Sequence, residues 1–441
     1  MGSEFNVSRR RFLGTAAGAA GIAALGPFAA RGVGAGGADG VGERLVPPDK
    51  LAVQQFSIRD AITRRSIAGS TAAGIAPAMG FLGGPDFPDD PSDLGPLVPL
   101  PGGFLEVFEF LAGVGYRGFE FFQYTQNINE LGRQPTHAEI RTYLDAAGLI
   151  SVGTHTGGLS MVDPTVRAAQ ITIAQTLGHE MIGTAGDPSG RSTLADGLNA
   201  NGTVSRGWQF AADNYNAVGE ILLAEGLKMY LHPEQNTFRT FDDAAHPELS
   251  QVHRLDWFAD NTDRRYVFFE PDLLHMYAGR ARFPASNGAL FDAVGWLQRH
   301  EKRHVAWHAK DGSRLAVPPA PGVSPFTQTI VRPPQFTGTP ASNVDTIYAL
   351  EGSLSRGYPV DPDPAVIGWK RIFGEIGAKG SHYAIVESDS GPGPATDPGR
   401  SLRHAKISAA NMLGFRGGVT TKAQSTVADE AVYESDEAFA G

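Results

Sequence analysis

THAEIRTYLDAAGLISVGT, Thr136–Thr154, holds one complete helix-to-strand unit of this chain. Thr136 is followed three residues later by Glu139. That spacing is a capping box, in which each side chain satisfies a backbone N–H that the start of a helix leaves free. The stretch therefore predicts a helix over Thr136–Ala147. Gly148 turns the chain out of it, and Ile150–Thr154 reads as a strand.

The same alternation runs outward in both directions. Strands are expected at Leu51–Ile58, Gly118–Gln123, Ile150–Thr154, Met181–Thr184, Lys228–His232, Tyr266–Glu270, His304–His308 and His382–Glu387. Helices are expected at Gly103–Val114, Pro164–Leu177, Trp208–Glu225 and Ser401–Leu413, besides the one already described. Strands alternating with helices argue for a parallel sheet, and eight units in order are the number that closes a (β/α)8 TIM barrel. Helix-to-strand turns are short and carry glycine. Three strand-to-helix segments are long: Arg59–Pro101, Asp187–Arg206 and Asp311–Pro359. These βα-loop insertions all fall at the C-terminal face, where barrel enzymes keep their sites, and read as lids or substrate-shaping loops.

Of 441 residues, 41% are hydrophobic and 19% charged, a globular balance with ample material for a large core. The net charge of -10, with no basic run outside the N-terminus, argues against a nucleic-acid partner, because phosphate binding needs clustered cations. Cysteine is absent, which excludes disulfides, thiolate metal sites and a cysteine nucleophile.

Residues 1–45 read as an address. MGSEF resembles an expression remnant; SRRRFLG followed by TAAGAAGIAALGPFAA resembles a twin-arginine export signal. The apolar run is too short and too glycine-rich to make a stable membrane span. Cleavage is expected between Ala30 and Ala38, with a periplasmic or extracellular product. The barrel is assigned to residues 46–416 and a polar tail to 417–441.

Strand ends carry the chemistry. Side chains at i and i+2 share one face of a strand, so pairs at those spacings point into a barrel together. Strand five ends with His232 and Glu234, strand six with Glu270 and Asp272, followed by His275. Strand seven ends with His308 and Lys310, ahead of Asp311 and Arg314. Strand eight ends with Glu387 and Asp389, and strand three adds His155. Buried carboxylates are costly without compensation. Several of them with imidazoles, converging on one pocket, suit a hard or borderline divalent cation. Phe56, Phe122, Trp257 and Trp307 are candidates to flank a sugar ring, with plain packing the commoner role of barrel aromatics.

The stretches VFFEPDLLH (Val267–His275), WHAKDGSR (Trp307–Arg314) and YAIVESD (Tyr383–Asp389) resemble the xylose isomerase-like sugar isomerases and epimerases. The resemblance covers residues 51 to 414. It implies metal ligands at Asp272, His308 and Glu387, and a substrate-binding arginine at Arg314. Strand five departs from the family pattern. HPEQNTF puts His232 at the ligand position and Glu234 two residues beyond, so either is the expected ligand, with a slight preference for Glu234.

The resemblance implies a single divalent ion and a carbohydrate substrate; the histidine ligand favours Mn or Zn over Mg, and the export signal with no glycine-rich phosphate cradle after strands seven and eight points to a substrate without phosphate. Glu387, with Glu234 on the other face, would move a proton beside a carbonyl through an enediolate. His275, Arg314 and His155 would bind the substrate, and Lys310 would assist catalysis. The same parts suit a second reaction, β-elimination by a 3-keto-glycoside lyase or deglycosidase. From a different class come a non-catalytic exported sugar-binding protein and metal-assisted phosphodiester cleavage. The sugar, the metal and the state of assembly (homo-oligomer or not) are left open by the sequence.

Overall fold

The structure is a computed structural model and describes residues 46–63, 101–122, 134–156, 158–273, 275, 276, 279, 283–310, 382–388 and 399–413. The signal-like N-terminus, residues 64–100 and 311–359, Arg314, Asp389 and the tail lie outside the described residues.

Eight parallel strands form the sheet: β1 (Leu51–Gln54), β2 (Gly118–Phe122), β3 (Ile150–Thr156), β4 (Met181–Ala185), β5 (Lys228–His232), β6 (Val267–Phe269), β7 (Ala306–Ala309) and β8 (Tyr383–Val386). Their order is β6-β5-β4-β3-β2-β1-β8-β7. The two ends of that series meet through parallel bridges between Phe269 and His304 and between Asp272 and His308. The sheet thus curls into the expected TIM barrel, and its closing seam sets strand six beside strand seven.

Among the described residues the helices are α1 (Arg59–Thr63), α2 (Gly103–Val114), α3 (His137–Ala147), α4 (Pro164–Leu177), α5 (Trp208–Ala224), α6 (Arg254–Asp260), α7 (Ala293–Arg299) and α8 (Arg400–Leu413). The capping box forms as read: Glu139 N–H donates to Thr136 Oγ1 at 3.2 Å, and Thr136 N–H to Glu139 Oε2 at 2.7 Å. Gly148 closes α3 at φ +72°, a left-handed conformation that a Cβ would strain. None of the described helices is long and apolar enough to cross a membrane.

Strand one is shorter than expected. Its last residue, Gln54, accepts the Phe56 N–H on its side chain at 2.8 Å, and Gln55–Ile58 winds into a 3-10 turn instead of continuing the ladder. The insertion after strand four carries a small antiparallel ribbon, Gly197–Leu198 against Val204–Ser205.

Two apolar cores result. The larger lies between sheet and helices, where Phe119 and Phe121 of β2 meet Phe104 and Phe108 of α2. The smaller, inside the barrel, contains Ala52, Val152, Met181, Tyr230, Val305, Ala306 and Ile385. This plug of side chains fills the lower part of the barrel. The residues above it on the same inward faces are polar.

Candidate metal centre

Strand parity places the site. On β2, Phe119 and Phe121 face the helices, so Glu120 between them faces the interior and is fully buried. On β5, Tyr230 and His232 point inward together, and Glu270 and Asp272 do so at the end of β6. His308 and Lys310 follow from β7, and Glu387 from β8; all are buried. His155 joins them only because the β2–β3 register shifts between Phe119 and Glu120. Val152 and His155 are three apart, which a regular strand would send to opposite faces.

The imidazoles of His232 and His308 stand between two tiers of carboxylate. Toward the barrel mouth, His232 Nε2 lies 3.7 Å from Asp272 Oδ2, and His308 Nδ1 lies 2.8 Å from Glu387 Oε2. On the other side, His232 Nδ1 lies 3.3 Å from Glu270 Oε2, and His308 Nε2 is 2.9 Å from Glu120 Oε2 and 3.1 Å from Glu270 Oε2. His155 Nε2 reaches Glu270 Oε2 at 2.7 Å. Glu120 also accepts Tyr230 Oη–H at 2.6 Å and Gln54 Nε2–H at 3.0 Å.

Lys310 Nζ sits 3.2 Å from Glu387 Oε2, 3.4 Å from His275 Nε2 and 3.8 Å from Asp272 Oδ2. Asp272 uses its other oxygen, Oδ1, to accept the His275 backbone N–H at 2.8 Å. Its Oδ2 is buried and accepts no hydrogen bond, although nitrogens of His232, Lys310 and His275 stand 3.7–3.9 Å away.

Burial pushes Asp272 up to about 7, with Lys310 opposing and Glu387 adding to the rise. Burial acts the same way on Glu387, but Lys310 and His308 overcome it and hold that carboxyl well below the usual range. Burial and the neighbouring His308 lower His232 to about 3. Burial and Lys310 likewise keep His275 neutral. His308 is held well above its ordinary value, since Glu270, Glu387 and Glu120 outweigh burial.

Do these residues suit a divalent cation? Glu120, Glu270, Asp272 and Glu387 are four buried carboxylates with one buried lysine among them. Lys310, the protonated His308 and the raised Asp272 offset part of that charge, and a divalent cation would offset more. His232, Asp272, His308 and Glu387 each offer a ligand atom within 4.8 Å of the others, as do His155, His232, Glu270 and His308. The orphaned Asp272 Oδ2 belongs to the first of these sets. Two imidazole nitrogens and two carboxylate oxygens form a donor set that suits Zn or Mn better than Mg. The residues fit the group.

Of the residues singled out from sequence, the structure gathers His155, His232, Asp272, His275, His308, Lys310 and Glu387. Glu234 belongs to neither four-residue set; its carboxylate lies beside Gly186, where a Cβ on that glycine would be 3.7–3.9 Å from it, and it still feels the charges of Lys310, Glu387, His155 and His308. Burial raises its proton affinity, and Lys310 opposes this. Trp307 is fully buried and Trp257 packs on Phe241, so both serve the core. Phe56 and Phe122 remain half-buried, their rings 5.1 Å apart beside His155.

Sequence reasoning passed over Glu120, Gln54 and Tyr230. The signal at Glu120 is that it is the one charge inside the apolar GFEFF, within a strand instead of at its end.

A family model described as xylose isomerase-like TIM barrel matches residues 108–407. No curated protein matches the chain. Among solved structures, a sugar phosphate isomerase/epimerase from Parabacteroides distasonis is similar at 16% identity, covering 85% of this chain and 96% of that one, with a TM-score of 0.45. A probable 3-DHS dehydratase from Bacillus anthracis is similar at 14% identity, covering 82% and 98%, with a TM-score of 0.45. A xylose isomerase-like TIM barrel protein from Mycobacterium smegmatis, in complex with magnesium, is similar at 15% identity, covering 71% and 93%, with a TM-score of 0.36.

Proposed function

The chain belongs to the xylose isomerase-like TIM barrel family, and from that premise we propose that it is a divalent-metal-dependent enzyme that removes a proton beside the carbonyl of a non-phosphorylated sugar, as a sugar isomerase or epimerase does. One observation carries the reading. Asp272 Oδ2 is buried without a hydrogen bond, in a set of four side chains that one ion can touch.

His232, Asp272, His308 and Glu387 would hold the ion. When bound, it would supply Lewis acidity toward a sugar carbonyl and its neighbouring hydroxyl. The chain's own groups do the rest. Glu387, kept ionised by the Lys310 ammonium 3.2 Å away, accepts the proton from carbon. Work of this kind contributes about 10²–10⁴-fold to a rate. Lys310 and His275 face the same space: Lys310 binds or protonates substrate oxygens, and the neutral His275 binds them. Phe56 and Phe122 offer an apolar wall to the sugar ring. The twin-arginine-like N-terminus supports action outside the cytoplasm, where phosphorylated sugars are scarce.

A second reading has a specific observation in its favour. Moving a proton between the two faces of a sugar calls for a carboxylate on strand five, and there the ion-facing residue is His232, with Glu234 outside both sets. One base and one acid suffice for β-elimination from a 3-keto-glycoside.

Incubation of the metal-loaded protein in deuterated water with free sugars and 3-keto-glycosides tests both readings. Deuterium in recovered substrate is expected for isomerisation or epimerisation, and aglycone release for elimination. Neither product from a loaded sample would rule out the enzyme and leave a sugar-binding protein. Glu387→Gln is expected to lower proton exchange by at least about 10²-fold with the circular dichroism spectrum unchanged.

A further inference from the structure

We infer that Glu120 is a positioning residue of the cation site: from below, it binds the Nε2–H of His308 and leaves Nδ1 of that ring turned toward the ion. The inference rests on the metal reading above and adds a residue to it.

An imidazole can offer either nitrogen to a metal, and the hydrogen bond made by the other nitrogen decides which. Here the partners are laid out in two tiers. His308 Nε2 has Glu120 Oε2 at 2.9 Å below it, and Nδ1 has Glu387 above. His232 is placed with its nitrogens exchanged: Nδ1 is 3.3 Å from Glu270 below without a hydrogen bond to it, and Nε2 looks up at Asp272. The two rings therefore present different nitrogens to one ion, each backed by a carboxylate.

Distances single out the surroundings of Asp272 Oδ2 from the contacts beneath His308 and His155. Ligands around a tetrahedral ion with bonds of about 2.0–2.1 Å lie roughly 3.4 Å apart. The His155–Glu270 and His308–Glu120 contacts of 2.7 and 2.9 Å are shorter than that and have the lengths of charge-assisted hydrogen bonds. The 3.7–3.9 Å separations around Asp272 Oδ2 are too long for hydrogen bonds. Beneath His308, then, Glu120 is held as a hydrogen-bond partner, and the ligand shell would lie around Asp272 Oδ2.

Glu120 is itself held. Tyr230 Oη–H and Gln54 Nε2–H donate to its two oxygens at 2.6 and 3.0 Å. Tyr230 reaches it across the barrel because Gly183 on β4 has no side chain; a Cβ there would overlap the tyrosine ring. These two donors thus fix the carboxylate in the orientation that meets His308.

The test is titration of the full-length, chelator-treated protein with Co²⁺, read by visible absorption and by the metal content after dialysis. Wild type is expected to bind one Co²⁺, and Asp272→Asn to lose it. Glu120→Gln is expected to bind about 10–100-fold more weakly, with a shifted absorption band, because the ring it backs is no longer held. Equal affinity and an identical spectrum in Glu120→Gln would overturn the inference and leave the metal reading standing. Failure of wild type to take up Co²⁺ would instead defeat the metal reading. Two equivalents bound would place an ion in the lower tier and overturn the positioning role. Should Glu120→Gln not fold, Tyr230→Phe keeps the carboxylate but removes its shortest donor. Weaker, spectrally altered binding is then expected, and unchanged binding counts against the inference.

Discussion

Gly183 and Tyr230 show how much one missing side chain can position. The tyrosine ring lies where any Cβ at Gly183 would be, and its hydroxyl ends on Glu120 at 2.6 Å. Gly183→Ala should therefore push the ring aside. Overpacking of this kind costs about 1–3 kcal/mol. Urea denaturation should show that loss, and Co²⁺ affinity should fall with it; a mutant with wild-type midpoint and affinity would mean that the ring is free to move. Neither residue announces itself as a pair in the sequence. They lie on neighbouring strands, and Glu120 on a third strand completes the contact.

At the scale of elements, local chemistry explains most of what formed. The α3 capping box needed only Thr136 and Glu139, three residues apart, and both of its hydrogen bonds are present. Thr136→Ala should cost about 0.5–2 kcal/mol, measured by thermal or chemical unfolding, and leave cation affinity unaltered. A change in metal binding would mean that α3 is coupled to the site. Where elements depart from expectation, a longer-range partner is responsible. Strand one stops at Gln54 as its side chain takes the Phe56 N–H, and Gln54 also donates to Glu120. The β2–β3 register shift is another such case. Simple alternation would not have brought both Val152 and His155 inside; the slip does, and His155 then meets Glu270 at 2.7 Å.

At the scale of the molecule, closure of the barrel makes the site. Asp272 and His308 belong to strands at opposite ends of the hydrogen-bonded series and become neighbours only through the bridge that seals it. An ion that binds the folded chain alone should stabilise it, by about 2.7 kcal/mol at a concentration 100 times its Kd. Melting of the metal-loaded and chelator-treated proteins should differ accordingly. Asp272→Asn should melt at the same temperature in both conditions; a persisting difference would place the stabilising ion elsewhere.

Eight strand-and-helix units, their glycine turns and the capping box could be read along the chain, since each depends on residues a few positions apart. The same nearness let His232, Asp272, His308 and Glu387 be noticed at strand ends. Which nitrogen each histidine shows, why His232 and not Glu234 joins the set, and how Glu120 comes to lie beneath them depended on the closed sheet. Those relations join residues up to 188 positions apart, as between His308 and Glu120. Only the curvature and register of a finished barrel bring such residues into hydrogen-bonding range, because side-chain periodicity specifies a face and not the neighbour across it.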